Sequence, residues 1–167
     1  HSENFRQIAS QLSGFTKRVI ISFYDNYYKT HSKLQKLNQE ISLQILDIRD
    51  IGYADQLALL ASNLSRTAAC YHMEIQTCSE KISLQTYNIK PGACIDNQLI
   101  NRTFGLTLTI PKDKSQRSAC LCSQAVDIGF YNTCRYNCAY CYATVSEKAV
   151  LHNIQRHNPN SPLLLDY

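Results

Sequence analysis

Leu57-Ala-Leu-Leu-Ala-Ser-Asn-Leu64, followed by Tyr71-His-Met-Glu-Ile-Gln-Thr77, is the pair of stretches that decides the fold. In the first, Leu57, Leu60, Ala61 and Leu64 recur at helical spacing and predict a helix near 53–68. In the second, Met73, Ile75 and Thr77 alternate with His72, Glu74 and Gln76, which is the period of a strand. Upstream, Phe5, Ile8, Ala9 and Leu12 predict an amphipathic helix closed by Gly14. Val19, Ile20, Ile21 and Phe23 then predict a short strand buried on both faces, as in a parallel sheet. A polar-faced helix is expected over 27–37. Downstream, Asp96 is placed to cap a helix running to Phe104, and Pro111–Arg117 reads as a polar loop. Ala125–Phe130 is read as a third strand, and Glu147–His157 as a helix ended by Pro159 and Pro162.

Helices alternating with short buried strands give an α/β class with parallel strands. Three strands cannot close a barrel. The expected architecture is therefore a partial (β/α) barrel-like or open parallel sheet. Residues 1–110 form its α/β part and residues 111–167 a cysteine-rich, cluster-binding segment of the same domain.

The chain has 167 residues, enough for one domain with a core of its own. It is 44% hydrophobic and 18% charged, with a net charge of +4, too little basicity to argue for nucleic acid by itself. No apolar run is long enough to span a bilayer, so no membrane partner is expected. No signal peptide is visible, and a cytoplasmic location is expected. The chain opens on His1 rather than Met, which suggests a piece of a longer protein.

Of eight cysteines, five crowd between 120 and 141. Crowding of that kind suits a metal or cluster better than a disulfide framework. Cys134, Cys138 and Cys141 are spaced C-x3-C-x2-C within one loop. Such a loop can offer three thiolates to an iron–sulfur cluster and leave one iron open to a small molecule. A zinc knuckle completed by His152 or another cysteine, and unliganded core cysteines, are the alternatives. Cys78, Cys94, Cys120 and Cys122 make a second set, each in a turn or at a strand end. Four thiolates can close one site, a cluster or zinc. Cys70, at the end of a helix, reads as packing.

Polar and reactive residues follow each expected strand: Asp25, Tyr27 and Lys29, then Cys78 and Glu80, then Asn132 and Cys134. In open sheets and barrels, sites gather at that edge. Lys112, Lys114 and Arg117 form a small basic loop that can meet phosphates, and four tyrosines lie within 131–142. No Walker, dinucleotide-glycine or H-E-x-x-H pattern is present.

The C-x3-C-x2-C loop resembles the signature of the radical S-adenosylmethionine (SAM) superfamily. The resemblance implies a [4Fe–4S] cluster on Cys134, Cys138 and Cys141, with Tyr140 beside the adenine of SAM. Asn132 and Glu80 are further candidates to contact that cofactor. The implied chemistry is reductive SAM cleavage to a 5′-deoxyadenosyl radical, fed by a reductant such as a flavodoxin or ferredoxin. A closer resemblance rests on Cys120 to Ala143, Ile21-Ser-Phe, Cys94-Ile-Asp, Gln116-Arg117 and Asn158 to Leu164. These look like the bacterial family called domain of unknown function 1848. Its members are about twice as long, so this chain resembles their C-terminal half. The loop is also similar to that of the spore photoproduct lyases, DNA-repair enzymes, which keeps nucleic acid among the candidate partners. Two features depart from ordinary radical SAM enzymes. The loop lies near the end of the chain, so a barrel would have to lie upstream in a permuted order. No Gly-Gly-Glu stretch is present to meet the SAM amine. A non-enzymatic iron–sulfur or zinc protein, or a nucleic-acid-binding zinc module, is the alternative function.

Overall fold

The computed structural model describes residues 1–25, 27–42 and 45–165. Five helices and three strands are present among them. α1 (Ser2–Leu12) precedes β1 (Arg18–Ile21), and α2 (Tyr28–Ile41) follows. α3 (Ala54–Cys70) leads into β2 (Glu74–Cys78), β3 is Lys90–Gly92, and α4 (Asn97–Phe104) and α5 (Glu147–Arg156) close the order. The chain divides into two units, His1–Tyr24 with Asp47–Ala125, and Asp25–Leu46 with Val126–Tyr167.

The first unit holds a parallel sheet in the order β1-β2-β3, with Arg18 opposite Glu74 and Cys78 opposite Gly92. Strand order follows chain order without reversal. Three strands leave the sheet open, and no barrel is present among the described residues.

One face of the sheet is covered by helices, as the alternation in β2 dictates. Ile75 and Thr77 are buried, while Glu74, Gln76 and Cys78 are not. Ile75 packs with Ala61, Leu64 and Ala68 of α3, Ala9 of α1, and Met73, Leu84 and Ile89. Val19 and Ile21 of β1 pack against the same cluster. Ala9, Ala61 and Ala68 are buried on the helix faces toward the sheet, where small side chains allow close approach. β1 is half-buried throughout rather than buried on both faces.

The helices near 53–68 and from Asp96 fall where the sequence places them. Asp96 caps α4 by accepting from the N–H groups of Gln98 (2.9 Å) and Leu99 (3.2 Å). The third strand is a correction. Residues 125–130 form no strand, and Val126 and Ile128 are each 87% exposed. Asp127 explains this: its carboxylate accepts from the Gly129 N–H at 2.7 Å, a local bond that competes with a ladder. The actual third strand, Lys90–Gly92, contains Pro91 and Gly92, two residues that carry no strand signal. Pro is tolerated there because β3 is an edge. Asn132 and Cys134 therefore do not follow a strand.

In the second unit, Thr30 and Leu34 of α2 and Val150 of α5 are buried. Ser146 caps α5 through the Ala149 N–H at 3.2 Å.

Candidate metal centre

Three separated segments of the first unit bring cysteines together. Cys78 is the last residue of β2, and Cys94 lies two residues beyond β3. Cys120 and Cys122 come from the loop that follows α4, and backbone pairing fixes that loop. Lys112 bridges to Ser123, the Asp113 N–H donates to the Cys122 carbonyl (3.0 Å), and the Gln124 N–H donates to the Pro111 carbonyl (2.8 Å). The Cys120 N–H donates to the Arg117 carbonyl at 2.9 Å, and Lys112 donates to the Ser118 carbonyl at 2.8 Å. Lys112 is thereby committed to its own loop. The Ser123 N–H donates to the Ile95 carbonyl at 2.9 Å, which ties the loop to the Cys94 segment.

The sulfurs of Cys78, Cys94 and Cys122 all lie within 4.8 Å of one another. A tetrahedral ion with metal–sulfur bonds of about 2.3 Å holds its sulfurs about 3.8 Å apart, so this trio is within small side-chain adjustment of ligating one metal. Cys120 is not in that trio but adjoins it. Its sulfur accepts from the Cys122 N–H at 3.5 Å, and it interacts electrostatically with Cys78, Cys94 and Cys122. Cys120 and Cys122 are buried and Cys94 is exposed, which leaves an approach from solvent. All eight cysteines are free thiols.

The proton affinities of the group diverge. Burial, reinforced by a hydrogen bond with Cys94 and by the neighbouring sulfurs, pushes the Cys78 thiol up to about 12. Burial likewise raises Cys120. Burial pushes Cys122 up as well, but backbone donors at Ile95 and Cys94 and the thiols of Cys120 and Cys94 outweigh it, leaving Cys122 below the ordinary range. Such N–H···S donation suits a ligand thiolate, since each donor stabilises the charge that a metal requires.

Cys134, Cys138 and Cys141 lie in the second unit, in a loop pinned at its base. Asn132, at φ 59°, closes it: its side-chain carbonyl accepts from the Val145 N–H (2.6 Å) and its own N–H donates to the Ala143 carbonyl (2.9 Å). Asn153 of α5 donates to the Asn132 carbonyl at 3.2 Å, and Lys33 of α2 donates to the Thr144 carbonyl. Inside the loop, Asn137 takes φ 48° and the Cys141 N–H donates to the Cys138 carbonyl at 3.0 Å. The three sulfurs do not form a single-ion trio among the described residues. A cubane holds its thiolates at separate corners, wider apart than one ion does. Burial pushes Cys141 up, but the Thr144 hydroxyl, two backbone donors and Lys33 outweigh it and lower its pKa. Cys134 is exposed and Cys138 half-buried.

The three residues expected near SAM fall in different settings. Tyr140 is 62% exposed beside Cys141. Asn132 is occupied as the loop clamp. Glu80 has no exposed side-chain surface: it accepts from the Phe23 N–H (2.8 Å), the Ser22 hydroxyl (3.2 Å) and Arg49 (3.3 Å). Arg49 also pairs with Asp47 at 2.7 Å. Arg49, Thr144 and Lys33 went unread in the sequence: no local pattern marks the Arg49–Glu80 and Lys33–Thr144 contacts, which span 31 and 111 residues, and Thr144 carries no motif of its own beside Cys141. Cys70, expected to pack, is exposed at the end of α3.

The sequence matches the family model described as "Domain of unknown function (DUF1848)" over residues 1–143. The chain belongs to the DUF1848 family. The matched DUF1848 region spans all eight cysteines and ends two residues after Cys141. No curated protein and no solved structure matches this chain.

Proposed function

We propose that this DUF1848 protein is a thiolate metalloprotein of the radical SAM type. It carries one metal on Cys78, Cys94 and Cys122, and a [4Fe–4S] cluster on Cys134, Cys138 and Cys141. The observation that carries the metal reading is the meeting of three sulfurs from three chain segments, with no disulfide between them. Free thiols are often buried singly as small apolar groups, but three packing sulfur to sulfur from a strand end and two loops suit a soft cation better than a core.

The second unit supports the finer half of the reading. A three-thiolate loop clamped by Asn132 and Asn153 presents ligands from a fixed base. Its donor set fits a cluster with one open iron. When bound, that cluster would supply the electron for reductive cleavage of SAM. The chain's own residues do the rest. Burial opposes ionisation of Cys141, but Thr144, backbone donors and Lys33 together lower its pKa and favour its thiolate. Tyr140 offers an exposed ring against which an adenine can stack. Tyr142 packs against Tyr27 (5.7 Å between ring centres) and Tyr131 (6.5 Å), which places an aromatic group beside the loop.

The test is anaerobic reconstitution with iron and sulfide, followed by metal and sulfide counting, electron paramagnetic resonance and a SAM-cleavage assay under dithionite. Cluster signals that change shape on adding SAM, with 5′-deoxyadenosine formed, support the reading. A signal indifferent to SAM and no product above a Cys138→Ala control would replace it with an electron-carrying or structural cluster.

A further inference from the structure

The sheet of the first unit has a second face, and its covering is unusual. Residues opposed in a parallel ladder share a face. Arg18 lies opposite Glu74, and Ile20 opposite Gln76, so Arg18, Glu74, Gln76 and Cys78 line the side away from α1 and α3. Glu74 is exposed, but that side is covered around Gln76. Gln76 Oε1 is buried with no hydrogen-bond partner. A Cβ on Gly92 would lie only 2.2 Å from that same atom. The chain after β3 runs back across this face, because Asp96 reaches Arg18 at 2.7 Å with both side chains mostly buried.

Two cysteines are the largest side chains buried in this layer. In the covering segment and loop, the buried residues are Gly92, Cys120, Cys122 and Ser123. No buried leucine, isoleucine, valine or aromatic residue from either segment lies there among the described residues. Ile95, Leu99, Ile100 and Ile110 are only partly covered, so the hydrophobic drive to close this layer is weaker than a buried apolar core would give. Small modules lacking a core are held by a structural metal instead.

We propose that Cys120 joins Cys78, Cys94 and Cys122 as the fourth ligand of one tetrahedral zinc ion, and that this ion is the core of the layer covering the face of the sheet away from α1 and α3. The inference rests on the metal reading above and sharpens it in nuclearity, ligand count and role. Nuclearity follows from distance. Sulfurs within 4.8 Å of one another fit about the 3.8 Å separation of a single tetrahedral ion, tighter than cubane corners require. The fourth ligand follows from placement: the Cys120 sulfur already faces the Cys122 N–H at 3.5 Å. Four protein thiolates leave no open position, which is the mark of a structural site. Zinc is preferred to calcium or magnesium by the all-sulfur donor set.

The test uses the full chain with Cys134, Cys138 and Cys141 all changed to serine, so that the second sulfur set contributes nothing. It is purified with zinc, and a portion is exchanged to cobalt. Metal content, X-ray absorption at the metal edge, the cobalt ligand-field spectrum and amide exchange before and after chelation are measured. One ion per chain, four sulfurs at about 2.3 Å and no metal–metal scattering are expected. Protection of β2, β3 and α4 amides should fall on chelation. Three sulfurs and one light atom would overturn the role of Cys120 while leaving a metal site. Metal–metal scattering with acid-labile sulfide would overturn the single ion while leaving a metal site. Bound metal with unchanged amide protection would overturn the structural role. A chain that retains no metal would overturn the metal reading itself.

Discussion

Cys78 and Cys122 belong to one sulfur group yet are driven in opposite directions, because backbone donors reach one and burial dominates the other. For Cys78 the consequence in the metal-free chain has a definite sign. Its folded pKa is raised from 9.0 to about 12, so folding favours the neutral thiol. That stability is fully present below pH 9.0 and is lost as pH climbs toward 12, where the unfolded thiol ionises and the folded one resists. Urea melts of metal-free protein at rising pH should show a steeper alkaline loss for wild type than for Cys78→Ala. Equal slopes would mean that Cys78 is not held neutral. The same protons oppose metal. Cys78 and Cys120 must both be deprotonated to ligate, so apparent zinc affinity should rise steeply with pH, by competition titration between about pH 6 and about pH 8.5.

At the scale of elements, β3 and the start of α4 decide whether the cysteine segments close over the sheet. Gly92→Ala puts a methyl group into the Gln76 side chain, 2.2 Å from its oxygen and 2.7 Å from its Cβ. A cost of about 1–3 kcal/mol is expected from such overpacking, read as a lower thermal midpoint together with weaker metal retention. Asp96→Ala removes two backbone caps and the ion pair with Arg18, which is partly screened at 17% and 21% exposure. Its cost should be about 1–2 kcal/mol, read from chemical denaturation. Unaltered stability in both variants would show that this covering is not coupled to the sheet. The two elements also show what sequence can and cannot reveal. Asp96 was legible because a cap acts within three residues. The helix near 53–68 was legible because its stripe is local. β3 was not, since a three-residue edge strand with Pro91 and Gly92 carries no periodic signal. Residues 125–130 misled for the converse reason: their apolar residues alternate, but Asp127 turns the chain before any partner strand can pair. The cysteine set at 78, 94, 120 and 122 was legible as candidates, whereas which three sulfurs meet depends on the parallel register.

At the scale of the whole molecule, the two sulfur sets are divided between the two units. Cys78, Cys94, Cys120 and Cys122 lie in the unit that contains the sheet, and Cys134, Cys138 and Cys141 lie in the other. The tethers that fix each set come from within its own unit: the Ser123–Ile95 bond and the β2–β3 register for the first, and Asn132, Asn153 and Lys33 for the second. Metal loading should therefore be separable. Changing Cys138 to alanine should remove iron and sulfide from the second set and leave the ion of the first, because no ligand or tether of the first is touched. Changing Cys122 to alanine should release the ion from the first set and lower protection in β2, β3 and α4. The iron and sulfide of the second set should remain. Metal and sulfide counting on both variants, paired with amide exchange, reads the two sites independently. If either single substitution empties both sites, the sets are energetically one centre, and the assignment of separate metals to separate units is wrong. Sites that share no ligand or tether are expected to respond additively, so a double variant that loses the sum of the two singles is the outcome that fits this division.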